Sequence, residues 1–581
     1  MARLSSCVCA GLIGLALLPP RPAAAAWPTD PLVSVPLCTA AGHQYYPMIV
    51  TDGAGGAIVS WQDLRSGNWD IYAQRVLATG TSDPGWPADG RALCTAAGDQ
   101  AEPMIVADGA GGAIVTWEDN RGGNWDIYAQ RVRASGTVDP AWPADGLALC
   151  SAAGDQEDPA IVSDGAGGAI VTWQDYRTGT YSDIYAQRVR ASGTVDPAWP
   201  ANGRALCTAL LNQWYPEIAT DGAGGAIVTW RDKRSIAYWD IYAQRVRASG
   251  TVDPAWPADG RALCTAADDQ TNSRIVADGA GGAIVAWRDG RSDSYDVYAE
   301  HVLASGAVDP AWPANGRALC TVGNNQEALA IVADGAGGAI VAWHDYRSGA
   351  TPDIYAHHVL ASGTVDPAWP ADGRALCTAA GDQSYPRIAS DGTGGAIVTW
   401  HDHRSDTNYD IYAQHALASG AVDPAWPTDG RVLCSAPSDQ GSPAIVADGA
   451  SGAIVTWHDY RGGATSDIYA QRVDRYGLLG GIVPNSVPGE ATLAFALDPV
   501  RPNPARGSTL RVHFTLASAA AASLEFLDVA GRRIAAREVG SLGPGHHWLD
   551  LGAGRRLTPG LYLVRLRQGA SVRVTRVVVL D

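Results

Sequence analysis

Asp164–Arg177 reads DGAGGAIVTWQDYR, and near-copies of it open at Asp52, Asp108, Asp221, Asp278, Asp334, Asp391 and Asp448. The copies recur every 56 or 57 residues, eight times in all. Each reads as a hairpin: DGAGG supplies positions that tolerate φ > 0, and AIVTW is a strand rich in β-branched and aromatic residues. A fixed period of this size specifies an array of supersecondary units, none able to bury its apolar faces alone.

Working outward from the hairpin in the unit that begins at Pro103, PMIVADG reads as strand A, GAIVTWED as strand B and WDIYAQRVRASG as strand C. A loop, TVDPAWPADG, then leads to a short strand D, LALC. Four antiparallel strands in about 56 residues is the proportion of a β-propeller blade. Strand B is apolar on both faces (Ala113, Ile114, Val115, Trp117), as a sheet covered on each side requires. The phase of the repeat points to a ring. A lone loop and strand D, WPTDPLVSVPLC, precede the first strand A, and the last unit stops after strand C at Asp467–Val473. Pro31–Cys38 is therefore expected to pair with Asp467–Val473, giving an all-β, eight-bladed β-propeller closed by the N-terminal strand, over residues 27–477.

Composition narrows the partners. The formal net charge is −18, and Lys233 is the one lysine. An acidic chain without a basic tract does not suit nucleic acid or an anionic membrane surface. Residues 1–26 read as a secretory signal with a cut near Ala26–Trp27, and no other stretch is apolar enough to span a bilayer. Eight cysteines follow the signal, one per repeat: Cys38, Cys94, Cys150, Cys207, Cys264, Cys320, Cys377 and Cys434. Equivalent positions in successive units lie beyond bridging distance, so these read as buried thiols. No CxxC or paired His accompanies them, and neither a metal nor a cofactor is called for.

Blades of the form P-x-I-x-x-D-G-x-G-G-x-x-V-x-W-x-D-x-R followed by DIYAQR resemble sialidase-like (BNR-type) repeats, with ASGTVDPAW similar to an Asp-box. The resemblance implies a propeller and leaves activity open. Beyond a Gly/Pro linker at 478–490, residues 491–581 carry all three Phe and no Cys, so a second core is expected. Its alternating strands read as a small immunoglobulin-like β-sandwich. Asn503-Pro504, Asp528 with Gly531-Arg532, Gly545-His546 and Gly560-x-Tyr562-x-x-Arg565-Leu566 resemble FlgD-type modules and type IX secretion sorting domains. That resemblance implies export or surface anchoring, with sorting machinery as a partner.

Strand direction puts the A–B and C–D loops on one rim and the B–C and D–A segments on the other. The first rim is nearly invariant between copies; the second is not. Its aromatics are Tyr45, Tyr46, Trp69, Trp125, Tyr181, Trp214, Tyr215, Tyr238, Trp239, Tyr295, Tyr385 and Tyr409. Aromatic-rich polar loops on a rigid scaffold suit recognition of an extracellular glycan or polymer, and simple loop drift is the alternative. The deepest aromatic-lined site is expected near Trp214, Tyr215, Tyr238 and Trp239. The same rim carries an Asp-x-Arg in every repeat: Asp63/Arg65, Asp119/Arg121, Asp175/Arg177, Asp232/Arg234, Asp289/Arg291, Asp345/Arg347, Asp402/Arg404 and Asp459/Arg461. Arg clusters hold carboxylates, but an Arg with its own Asp in every unit reads as a structural ion pair or turn cap. No catalytic residue stands out. The propeller Glu sit in no distinctive motif, so non-catalytic binding is the leading expectation. A sialidase-like enzyme and a structural surface component are the alternatives.

Overall fold

A computed structural model describes residues 27–480, 496–497, 505–506, 511–516, 520–539, 545–550, 558–569 and 571–580. The expected signal at 1–26 and most of the expected linker, 481–490, lie outside these residues. The chain divides into two compact units, Met1–Ile482 and Val483–Asp581.

The first unit is all-β and consists of repeated four-stranded antiparallel sheets of the propeller type. In sheet one, strands A to D are Gln44–Thr51, Ala57–Asp63, Asp70–Val76 and Arg91–Cys94, hydrogen-bonded in chain order. Six further sheets repeat this order. Sheet eight takes Gln440–Ala447, Ala453–Asp459 and Asp467–Val473 as A to C, and its fourth strand is Val35–Cys38. There Cys38 pairs with Ile468, the register that Cys94 keeps with Ile71 inside sheet one.

Burial follows the two-faced strand B. Ala57, Ile58, Val59 and Trp61 are all fully buried, because one face packs on the preceding sheet and the other on the following one. Eight apolar clusters result, each shared by two sheets. One of them joins Trp27, Leu37 and Ile454 of the sheet-eight side to Val59 and Trp61 of sheet one. Gly90 explains the glycine before strand D in sheets one to seven: its φ is +93°, and a Cβ there would meet the Trp61 ring at 2.6 Å. The turn Asp also has a task. Asp52 Oδ1 accepts the Ala54 and Gly56 N–H groups at 2.8 Å, while Oδ2 takes Arg75 Nη2 of strand C at 2.7 Å.

Strand A differs from the expected limits. It begins at the Gln after the crossing, not at the Pro, and a bulge interrupts its register between Tyr45 and Met48. The residue in the bulge is left-handed in all eight sheets: Tyr46, Glu102, Asp158, Tyr215, Asn272, Ala328, Tyr385 and Ser442, with φ between 49° and 54°. The variable D–A residues are thus part of a strand. The bulge re-aims them toward the rim.

In the second unit, Arg511–Leu516 lies between Ala496–Leu497 and Gly545–Asp550 in one sheet. A five-stranded sheet follows the order Ala505–Arg506, Ser571–Leu580, Gly560–Gln568, Ala522–Asp528, Arg533–Glu538. Both sheets contribute to one core that includes Val512, Phe514, Phe526, Val564 and Leu566. This core shares no residue with the eight clusters of the first unit.

Candidate functional site

The Asp-x-Arg pairs fold inward. Asp63 is fully buried; its Oδ2 accepts Trp61 Nε1 at 2.8 Å and Arg65 Nη2 at 2.6 Å, and its Oδ1 accepts the Arg65 backbone N–H at 3.0 Å. Arg65 Nη2 also reaches Asp89 O at 2.8 Å and Cys38 Sγ, on the outer strand of the neighbouring sheet, at 3.0 Å. Its guanidinium lies 3.9 Å over the Tyr72 ring. The other pairs repeat this geometry, as Asp119/Arg121, Asp175/Arg177, Asp232/Arg234, Asp289/Arg291, Asp345/Arg347, Asp402/Arg404 and Asp459/Arg461 show at 2.5–2.6 Å. Every cysteine in these contacts is a buried free thiol, and burial pushes the Cys38 and Cys94 thiols up to about 12. The Gln after each crossing ties the crossing together: Gln100 Nε2 donates to Gly98 O at 3.1 Å, and its backbone N–H joins Trp69 O of the preceding sheet at 2.8 Å.

Within strand B the side chain that differs most between repeats sits between the Trp and the Asp: Gln62, Glu118, Gln174, Arg231, Arg288, His344, His401 and His458. Each pairs across the sheet with the variable residue after the strand-A Gln, for example Glu118 with Ala101 and Arg231 with Trp214. Several then cross to the next sheet. Gln62 Oε1 accepts the N–H of Glu102 at 3.2 Å, Glu118 Oε1 that of Asp158 at 2.6 Å, and His401 Nε2 that of Ser442 at 2.8 Å. Variable positions from two repeats, about forty residues apart, therefore meet at one place.

The outcome is an asymmetric rim. Acid gathers at sheets two and three. Burial pushes Glu118 up to about 8, and Asp158, Glu102 and Glu157 push it the same way. Asp158 rises to about 6 through burial, then through Glu157 and Glu102. Sheets six and seven carry an aromatic arc in which ring centroids follow at 5.4 Å (Tyr346–His344), 5.9 Å (His344–Tyr385), 5.5 Å (Tyr385–His401) and 6.0 Å (His401–Tyr409). Sheets eight and one carry another, where Tyr45 contacts His458 at 5.1 Å, Trp69 at 5.8 Å and Tyr46 at 6.2 Å. Burial lowers His401 to about 3 and His458 to about 4, so both rings are neutral, and His401 accepts the Ser442 N–H. At one level of the inner strands, Glu217 pairs with Arg274, while burial and then Arg274 lower Arg387 to about 10.

Of the twelve candidate aromatics, the arcs unite Tyr45, Tyr46, Trp69, Tyr385 and Tyr409. Trp214 and Trp239 stack on each other at 4.8 Å, with the Arg231 guanidinium 4.5 Å from the Tyr215 ring. Tyr295 lies under Arg288 at 4.0 Å. Tyr181 and Tyr238 are exposed and Trp125 is half-buried, and none joins a ring cluster among the described residues. Arg231 lies against the Trp214, Tyr215 and Trp239 rings, and a cavity of about 590 Å³ opens between sheets five and six. It is polar, lined by Asp293, Ser294, Asn324, Asn325 and Glu327 with Tyr346. Sequence reasoning set the propeller Glu aside, Glu118 among them, and did not single out Arg231. The available signal was one hypervariable position inside a nearly invariant strand.

No protein family and no curated protein matches this chain. Among solved structures, an ulvan lyase from a new polysaccharide lyase family aligns with a TM-score of 0.40 and 10% identity, over 76% of this chain and 97% of that one. A Penicillium chrysogenum α-L-arabinanase aligns with a TM-score of 0.33 and 12% identity, over 56% and 94%. A Dyadobacter fermentans protein of unknown function aligns at 0.32 and 11%, over 64% and 93%. Likenesses this distant say nothing of a ligand, and the chemistry of the rim rests on its own side chains.

Proposed function

We propose that this is an exported surface protein whose eight sheets form one closed propeller, and whose B–C/D–A rim binds an extracellular glycan or other polymer without transforming it. Closure is supported by the Val35–Cys38 pairing and by the apolar cluster that sheets eight and one share. The Asp-x-Arg pairs are structural: each guanidinium is spent on a buried carboxylate, a thiol and a loop carbonyl, so none is free for a ligand. The C-terminal sheets, with a core of their own, serve as the sorting or anchoring module.

The observation that carries the binding reading is the pair of aromatic arcs. Tyr385 and Tyr46 are 56% and 48% exposed, yet both are braced by neighbouring rings, so their faces are presented without a large ordering cost. Sugars bind such faces through their C–H surfaces while the polar rim hydrogen-bonds their hydroxyls. The test is a glycan array with the full-length protein, followed by Tyr46→Ala and Tyr385→Ala. Retention of a glycan class that both variants lose, with unchanged melting, is expected. An array with no retained glycan refutes the reading and leaves a structural surface component.

A glycoside-processing enzyme is the second reading, favoured by Glu118 and Asp158, adjoining carboxyls with raised protonation ranges. Product release from a retained glycan, abolished by Glu118→Gln, would establish it in place of simple binding.

A further inference from the structure

At five sheet junctions the residue between Trp and Asp of strand B accepts the N–H of the left-handed residue on the next sheet. The acceptors are Gln62, Glu118, Gln174, His344 and His401, at 2.6–3.4 Å. The bond supports a backbone conformation that is costly for a residue other than glycine. At the junction of sheets four and five the equivalent residue is Arg231, and a guanidinium only donates. The left-handed residue opposite is Asn272, with φ 54°. Arg231 therefore cannot supply the acceptor that the five locks supply, and neither can Arg288 opposite Ala328 at the next junction.

Arg231 is otherwise uncommitted. Its Nε is sealed from solvent without a hydrogen-bond partner. Among the described residues its guanidinium is held by ring faces alone, 5.0 Å from Trp214, 4.5 Å from Tyr215 and 4.6 Å from Trp239. Asp158 and Asp269 are the carboxylates that act on it electrostatically, and neither forms an ion pair with it. The next arginine in the series is different: Arg288 is neutralised by Glu327 at 3.3 Å and bonds Thr271 Oγ1 at 3.2 Å. An unpaired cation fixed between rings, at the position where five other junctions place an acceptor for the left-handed N–H, is an arrangement completed by an oxyanion. Tyr215, 49% exposed, is beside it to stack on the group that carries the anion.

We infer that this junction is an oxyanion subsite, so that the glycan held by the rim is acidic, its carboxylate or sulfate ester bound by Arg231 and the Asn272 N–H. The inference rests on the glycan-binding reading and specifies its ligand class. It is tested by calorimetric titration of the full-length protein with a uronate oligosaccharide, a sulfated oligosaccharide and a neutral one of equal length. The variant is Arg231→Gln, which restores the acceptor that Gln62 and Gln174 provide and so should melt no lower than wild type. At least one acidic oligosaccharide is expected to bind ten-fold or more tighter than the neutral one. That margin should shrink in 0.5 M salt and vanish in Arg231→Gln, with neutral binding unchanged. The acidic oligosaccharide with the margin identifies the carboxylate or the sulfate ester as the group bound. Equal affinity for acidic and neutral ligands, or a margin that survives Arg231→Gln, overturns the oxyanion subsite and leaves the rim reading standing. Binding of none of the three overturns both.

Discussion

Replacing Asp175 with Asn separates a structural Asp-x-Arg from a ligand-binding one. The carboxylate is fully buried and accepts Trp173 Nε1 at 2.8 Å, with Arg177 N, Nε and Nη2 at 2.9, 2.8 and 2.6 Å. Asparagine keeps the shape and the oxygen that faces Arg177 N and Nε. Its amide nitrogen then replaces the Oδ2 that received Trp173 Nε1 and Arg177 Nη2, so donor meets donor twice. Breaking a buried ion pair from one side costs about 3–5 kcal/mol. The Arg177 side chain is 22% exposed, and water can take up part of its charge, which brings the expected loss to about 2–3 kcal/mol. Asp119 has the same neighbours, so Asp119→Asn should cost the same within about 0.5 kcal/mol. Urea unfolding followed by tryptophan fluorescence measures both. Glycan affinity of the folded variants should be unchanged. A loss under about 0.5 kcal/mol, which surface substitutions typically give, or lost binding at full stability, would show that the pair serves a ligand and not the sheet junction.

Leu37→Ala should destabilise the protein by about 2–4 kcal/mol, as much as Leu93→Ala at the equivalent site, since both side chains are 2% exposed; a neutral Leu37→Ala in urea unfolding would contradict ring closure. The eight thiols should resist iodoacetamide at pH 8 in the native protein and all react in denaturant, as intact mass reports; rapid native alkylation would contradict their burial. His415 bridges Asp391 at 3.0 Å and Asp423 at 2.9 Å through its two ring nitrogens, which only an imidazolium can do by donating twice. Burial alone would lower it, but the bonds to both aspartates outweigh burial and hold it above its ordinary value. Its contribution to stability is therefore complete below the unfolded value of about 6.5 and is lost as pH rises through the higher folded value. Melting from pH 5 to 9 should show a fall that His415→Gln flattens, and identical pH profiles would sink the assignment.

The period, the four strands per unit, the two-faced strand B and the offset of the N-terminal strand were all legible in one dimension. Each arises from local rules: glycine where φ must be positive, β-branched residues where both faces are covered, and a missing strand at one end matched by a surplus strand at the other. The Asp-x-Arg pairs were legible for the same reason, since both members lie within three residues, the Asp ending strand B and the Arg in the turn after it. The rim was not. Its chemistry depends on contacts such as Glu118 with Asp158, where a strand-B residue of one sheet meets the bulge of the next. Neither the bulge nor its left-handed residue has a fixed amino-acid signature: Tyr, Glu, Asp, Asn, Ala and Ser all occupy it. That position is held by the neighbouring sheet and not by local propensity. Which carboxyls gather, which rings touch and which arginine is left unpaired are therefore decided only when adjacent sheets pack.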